Sequence, residues 1–316
     1  VFVTWPILAA LGFGVFLVGS VVGSFLNVCI YRIPWQKSVI WPASHCPRCL
    51  SAIPATDNVP ILGWLALRGE CRSCGLPISI RYPLIEALVG LLFVGLYVID
   101  VLMAPRGAWG QIPTASLATL AYHALFAALL VAATFIDYDL YIIPDEVTVT
   151  GMVLGIALGA AVPAIRLEPS AASTHLGGFG VGLFGLLVGG GLTAGVRTFA
   201  STLLRREAMG FGDVTLMAMI GAFLGWQAAV LTFFLAPFLG LAHAFWKLLN
   251  YLKRRALGIQ VSSADREIPY GPYLSMAAIV LVLSWPWLWP LWAREFFDTL
   301  GWIFWWMLGV NVGIGD

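Results

Sequence analysis

Gly210-Phe211-Gly212-Asp213-Val214-Thr215-Leu216-Met217-Ala218-Met219-Ile220-Gly221-Ala222-Phe223-Leu224-Gly225-Trp226 is an apolar run entered through a single carboxylate. Fourteen steps separate Gly212 from Trp226, about 21 Å of helix at 1.5 Å per residue. The hydrocarbon core of a bilayer is about 30 Å thick. With Trp226 at one interface, where tryptophans anchor, Asp213 lies below the opposite interface rather than in bulk water. A carboxylate at that depth is costly and marks function. The two glycines before it leave room for another backbone to come close, which suits a substrate strand beside the acid.

The rest of the chain reads in the same way. Of the 316 residues, 60% are apolar and 10% charged, whereas soluble domains carry about 25% charged residues. Runs of about 20 apolar residues span a bilayer. They lie near 5–30, 84–104, 116–136, 147–165, 177–200, 214–226, 228–249 and 272–290. The fold expected is therefore all-α: a polytopic transmembrane bundle of about eight spans in a lipid bilayer. A tail at 300–311, with Trp302, Trp305 and Trp306, reads either as an interfacial helix or as a ninth span. A net charge of +1 carries no polybasic signal for nucleic acid.

Lys and Arg collect on cytoplasmic loops. Arg32, Lys37, Arg48, Arg68, Arg72 and Arg81 follow the first span. Arg197, Arg205 and Arg206 close the fifth, and Lys247, Lys253, Arg254, Arg255 and Arg266 follow the seventh. These are 14 of the 17 basic residues; only Arg106, Arg166 and Arg294 fall on the other side. The N-terminus is thus expected outside and the 31–83 loop in the cytosol. Glycines repeat every four residues in spans four and five (Gly151, Gly155, Gly159; Gly178, Gly182; Gly185, Gly189; Gly191, Gly195), a spacing that lets helix backbones pack closely in lipid.

Within the loop, Cys46-Pro-Arg-Cys49 and Cys71-Arg-Ser-Cys74 are two Cys-x-x-Cys knuckles separated by 21 residues. This is the spacing of a four-cysteine zinc ribbon, closed and hence structural. Reducing cytosol favours metal over disulfides, and binding would supply much of the folding energy of so small a unit. His45 is read as a bystander, and Cys29 as a buried small hydrophobe.

A second acidic site, Phe135-Ile136-Asp137-Tyr138-Asp139-Leu140-Tyr141-Ile142-Ile143-Pro144-Asp145, ends span three. It falls on the same side as Asp213, and no Lys or Arg lies within it. Asp145 after Pro144 suits a helix cap. Two carboxyls brought together would share a proton, one activating water while the other donates to the scissile carbonyl. A transporter or membrane scaffold with acidic spans is the reading of another class, but no inverted repeat supports it.

These motifs together resemble the bacterial prepilin peptidases. Gly23-Ser24-Phe25-Leu26-Asn27-Val28 with Tyr31-Arg32-Ile33-Pro34 is similar to the opening block of that family. The four cysteines with Asp57-Asn58-Val59-Pro60 between them, and Ile80-Arg81-Tyr82-Pro83 with Glu86, resemble the next. Asp137 seven residues before Pro144, Glu207-Ala208-Met209-Gly210-Phe211-Gly212-Asp213, and Ile268-Pro269-Tyr270-Gly271-Pro272 complete it. A presenilin-like protease shares the Gly-x-Gly-Asp site and a Tyr-Asp pair like Tyr138-Asp139, but lacks the cysteine loop. The resemblance implies a bifunctional enzyme of the bacterial inner membrane, working on its cytosolic side. It would cleave the basic leader of type IV prepilins and type II secretion pseudopilins after glycine. It would then N-methylate the new N-terminus with S-adenosylmethionine. It implies Asp137 and Asp213 as the catalytic pair and residues 1–83 as the region associated with methyl transfer, with 84–316 as the multi-span peptidase domain. Glu86 is a weak candidate for the cofactor site, or alternatively a partner of Arg81.

Overall fold

The computed structural model describes residues 5–104, 113–167, 173–207, 209–256 and 269–307. Arg106, Ala208, Arg266, Ile268 and the 308–311 end of the tail lie outside them. Among the described residues, ten α-helices follow one another: α1 (Trp5–Arg32), α2 (Leu62–Ala66), α3 (Arg81–Tyr97), α4 (Thr114–Leu140), α5 (Asp145–Ala161), α6 (His175–Leu204), α7 (Phe211–Leu224), α8 (Trp226–Ala256), α9 (Gly271–Leu288) and α10 (Arg294–Met307). Among the described residues the only β structure is two isolated bridges in the cysteine loop.

The eight expected spans are α1 and α3 to α9. Among the described residues, six helical stretches are long and apolar enough to cross a membrane, those built on α1, α3, α4, α6, α8 and α9. The other two are short: α5 has 17 residues and α7 has 14. The chain is a multi-pass membrane protein. At the C-terminal end, α9 runs through a π-helical stretch, Trp289–Ala293, directly into α10. The described part of the tail therefore continues α9 rather than returning as a separate ninth span. Phe297 of α10 packs on Trp226 and Trp289.

Helix α7 is the axis of the bundle. Every residue from Asp213 to Leu224 is buried, and α5, α6, α8 and α9 pack around it. A helix apolar on all sides belongs in such a core. Glycine lets the neighbours approach. Gly185 of α6 and Gly221 of α7 each meet the other's backbone, and a Cβ on Gly155 of α5 would come within 2.8 Å of the Phe223 ring. The tight-packing reading of the glycine repeats holds for these positions, whereas Gly191 and Gly195 face open space. The same device joins α1 to α3: a Cβ on Gly19 would lie 2.8 Å from Gly90 Cα, and one on Gly23 2.8 Å from Glu86 Cα.

Arg166, counted above as a loop charge, is 3% exposed. Its guanidinium donates to the carbonyls of Ala222, Phe223 and Gly178 and to the Tyr122 hydroxyl. The first two are the last carbonyls of α7, which lack helical partners. A cation there also complements the helix dipole, so Arg166 closes the end of α7 opposite Asp213.

Candidate active site and metal centre

Asp137 lies in the last turn of α4 and Asp213 in the first turn of α7. They are 6% and 8% exposed, and close enough for the charge of Asp137 to act on Asp213. Helix α4 ends at Leu140 and is capped by Tyr141, whose backbone is left-handed (φ 57°) and whose N–H donates to the Asp137 carbonyl at 2.9 Å. The chain then runs extended to Pro144 and enters α5. From that short connection Ile143 turns inward. A Cβ on Gly212 would come within 2.9 Å of Ile143 Cβ, so the room left by that glycine is filled by this side chain. That corrects the expectation of open space at Gly212, whereas a Cβ on Gly210 would meet nothing closer than 3.8 Å.

The other wall comes from α9. The N–H of Gly271, its first residue, donates to Asp137 Oδ2 at 3.1 Å. A Cβ at Gly271 would lie 2.6 Å from that oxygen and 2.9 Å from Ile143 Cδ1. Tyr270, just before α9, stands beside Asp213. Its phenol is pushed up to about 12, first by burial and then by the Asp213 charge, so it remains a proton donor. Sequence reasoning quoted Tyr270 and Gly271 as part of a motif but assigned them no role.

Two expectations about neighbouring acids are corrected, and Asp139, which has no base in its own segment, finds one far off in sequence: Arg81 donates to both its carboxylate oxygens, at 2.8 and 2.7 Å. That partner starts another helix, which a local scan for Lys and Arg does not reach. Glu86 is accordingly not paired with Arg81; its Oε2 accepts the Ile61 N–H at 2.7 Å, and the residue is 7% exposed. Asp145 is not the cap of α5. Pro144 occupies that position, and Asp145 is the first helical residue, exposed, with no side-chain capping bond.

The four loop cysteines converge. The Sγ atoms of Cys46, Cys49, Cys71 and Cys74 all lie within 4.8 Å of one another, with Cys46 to Cys74 at 3.7 Å and Cys49 to Cys71 at 4.0 Å. Four sulfurs about 2.3 Å from one zinc would be about 3.8 Å apart at a tetrahedron's edges, so this donor set fits the ion. The two knuckles repeat one main-chain pattern. Cys46 N donates to Ser51 O and Leu50 N to Cys46 O, while Cys71 N donates to Leu76 O and Gly75 N to Cys71 O. Leu50 and Gly75 carry the matching positive φ, 57° and 68°. The Ser51 hydroxyl and N–H lower the Cys49 thiol to about 6, and the N–H groups of Ser73 and Cys74 lower that of Cys71. Thiolate is the form that binds metal. Around the knuckles, Arg72 grips Asp57 at 2.7 and 2.6 Å, holding the Asp57 carboxyl below the usual range. Arg32 donates to Ser38 O and Pro42 O.

Comparison with known proteins places this architecture. A profile for the bacterial peptidase A24 N-terminal domain matches residues 17–99, across α1, the cysteine loop and α3. One for the type IV leader peptidase family matches residues 124–245, from within α4 to within α8. The chain is 34% identical over 296 residues to a prepilin leader peptidase/N-methyltransferase of Aeromonas hydrophila, covering 85% of this chain and 89% of that one.

This chain belongs to the type IV leader peptidase family.

Other relatives agree. A prepilin leader peptidase/N-methyltransferase of Myxococcus xanthus (strain DK1622) is 40% identical over 213 residues, 67% of this chain and 56% of that protein. A type 4 prepilin-like proteins leader peptide-processing enzyme of Escherichia coli O78:H11 (strain H10407 / ETEC) is 31% identical over 296 residues, 88% and 93% of the two chains. No solved structure gives a significant match. The chain is thus an enzyme, a membrane leader peptidase of the type IV family, and the transporter and presenilin-like readings fall away. Both Asp137 and Asp213 lie inside the 124–245 segment.

Proposed function

We propose that this leader peptidase is a bifunctional aspartic endopeptidase and N-methyltransferase. It cuts the short basic leader from type IV prepilins and type II secretion pseudopilins after glycine, and then N-methylates the new N-terminus. The observation that carries the peptidase reading is that two carboxyls, each less than a tenth exposed and 76 positions apart in sequence, lie close enough for the charge of one to act on the other. Two acids in one water-poor site disfavour double ionisation and hold a proton between them. In the first step the ionised member takes a proton from water while the water oxygen bonds to the scissile carbonyl carbon. The protonated member gives its proton to the carbonyl oxygen. Collapse of the tetrahedral species then breaks the C–N bond, and the leaving nitrogen takes up a proton as the amine departs. The titration belongs to the pair rather than to either residue. Asp137, holding the Gly271 N–H, is kept in place through these proton transfers.

The orientation we infer puts the N-terminus outside and the acid pair and cysteine loop at the cytosolic face of a bacterial inner membrane. The 14-to-3 distribution of basic residues supports it, and so does the extension of α8 to Lys253, Arg254 and Arg255 in its last turn. Zn2+ on Cys46, Cys49, Cys71 and Cys74 would serve structure, since four thiolates leave no open position.

Methyl transfer we assign to the N-terminal region, residues 1–83, and peptidase work to 84–316. S-adenosylmethionine, when bound, supplies the methyl group. The names of the relatives support this second activity. Glu86, just beyond that boundary and with its Oε2 taken by Ile61 N, is the carboxylate we carry as an orienting group for methyl transfer. The test of the whole reading is incubation of the detergent-purified protein with a prepilin-like peptide and S-adenosylmethionine. The expected products are a peptide shortened at the glycine and then heavier by one methyl group. An uncut peptide, with the protein folded and zinc-loaded, overturns it.

A further inference from the structure

Asp137 occupies an exposed kind of position for a residue that must be held still. The last turn of a helix lacks forward hydrogen bonds and frays unless something outside the helix holds it. Tyr141 N–H caps the Asp137 carbonyl, and Gly271 N–H holds its carboxylate. The far side of the turn is gripped by a residue of another segment. Arg81, first residue of α3 and the end of the cysteine loop, donates through both terminal nitrogens to Asp139. Its guanidinium also lies over the Phe135 ring, 5.1 Å from the centroid. Phe135 and Asp139 are four residues apart and share a helix face, and Asp137 between them projects from the opposite one. One arginine thus holds the back of the turn whose front presents Asp137 to Gly271.

Stability does not account for this arrangement. The two side chains are 38% and 34% exposed, and pairs that open to solvent contribute little to folding. Each partner also stands at the wrong end of its own helix. A cation at the start of α3 and an anion in the last turn of α4 both oppose the helix dipole. The bidentate fork, by contrast, fixes direction as well as distance.

We propose that Arg81 is a positioning residue for peptide cleavage: through Asp139 and Phe135 it sets the rotation of the last turn of α4 and so the aim of the Asp137 carboxylate. It follows that the N-terminal region, residues 1–83, contributes a part to the peptidase site through this residue. The inference rests on the reading of Asp137 as catalytic.

The test compares full-length Arg81→Ala, Arg81→Lys, Asp139→Ala, the exchange Arg81→Asp/Asp139→Arg and, as reference, Asp137→Asn. Cleavage of a prepilin-like peptide, thermal unfolding and zinc content are measured on each. Arg81→Ala and Asp139→Ala should lower kcat by about tenfold or more with KM changed by less than about twofold, the signature of a misplaced group rather than lost binding. Arg81→Lys, keeping charge but losing the fork, should fall between Arg81→Ala and the parent. The exchange suits both helix dipoles and should fold, and it should return kcat to within about threefold of the parent. A dead Asp137→Asn beside fully active Arg81→Ala overturns the proposal and leaves the acid pair standing. An active Asp137→Asn overturns the reading beneath it. An exchange variant that unfolds at the parental temperature, yet is as slow as the single variants, also overturns it, because the pair would then not be what Arg81 acts through.

Discussion

The Asp137 carboxylate and the main-chain N–H of Gly271, 134 positions apart, are joined by a hydrogen bond of 3.1 Å. The donor is the first residue of α9, where N–H groups have no helical partner and the dipole favours an anion. The acceptor lies in the last turn of α4. One bond therefore fastens two ends of the bundle at the point where peptide chemistry is proposed.

Gly271→Ala tests that junction. The added methyl group would lie 2.6 Å from Asp137 Oδ2 and 2.9 Å from Ile143 Cδ1, so the carboxylate must move. A displacement of about 1 Å costs about 100-fold in rate. Cleavage of a prepilin-like peptide should fall by that order, while the amount of protein in the membrane fraction stays the same. Unchanged cleavage would remove Gly271 from the site.

The acids should separate by role. Asp137→Asn and Asp213→Asn are each expected to abolish cleavage without affecting membrane insertion. Asp145→Asn should retain substantial activity, because Asp145 is an exposed first residue of α5. Asp139→Asn should fall between Asp139→Ala and the parent, because the amide oxygen still accepts from Arg81 but the fork is lost. Mass measurement of the peptide product distinguishes these outcomes. Full activity in Asp137→Asn with none in Asp139→Asn would move the first role to Asp139.

The cysteine cluster makes two predictions. Protein purified under reducing conditions should contain about one zinc per chain, and Cys46→Ser should lose it and make the 35–80 loop more sensitive to protease. A Cys46–Cys74 disulfide in native protein would refute the cytosolic zinc site.

Separation of the two activities is tested with Asp213→Asn protein and a synthetic mature-pilin peptide bearing a free N-terminus. Label from S-adenosylmethionine should still reach the peptide, because cleavage and methyl transfer are assigned to different regions. Label with the parent but none with Asp213→Asn would mean that the two reactions share the acid pair. Label in both, lost in Glu86→Gln, would support a methyl-transfer site near Glu86.

The sequence by itself determined what depends on composition or on short spacing. Lipid accepts only spans that satisfy their own backbone, so apolar runs of sufficient length declared α1, α3, α4, α6, α8 and α9 without reference to one another. A Cys-x-x-Cys knuckle is a single turn, and its two halves are legible because the repeated bonds from Cys46 to Ser51 and from Cys71 to Leu76 are local. Asp137 and Asp213 stood out because carboxylates at the ends of apolar runs are rare. What only the tertiary structure decided were pairings across helices. That Arg81 takes Asp139 rather than Glu86, that Ile143 fills the space beside Gly212, that Gly271 donates to Asp137, and that Arg166 closes α7 all follow from how glycine-lined helices lie against one another. Such partners are separated by 58 residues for Arg81 and Asp139 and by 134 for Asp137 and Gly271. No residue period spans those distances; interhelical packing brings them within a bond length.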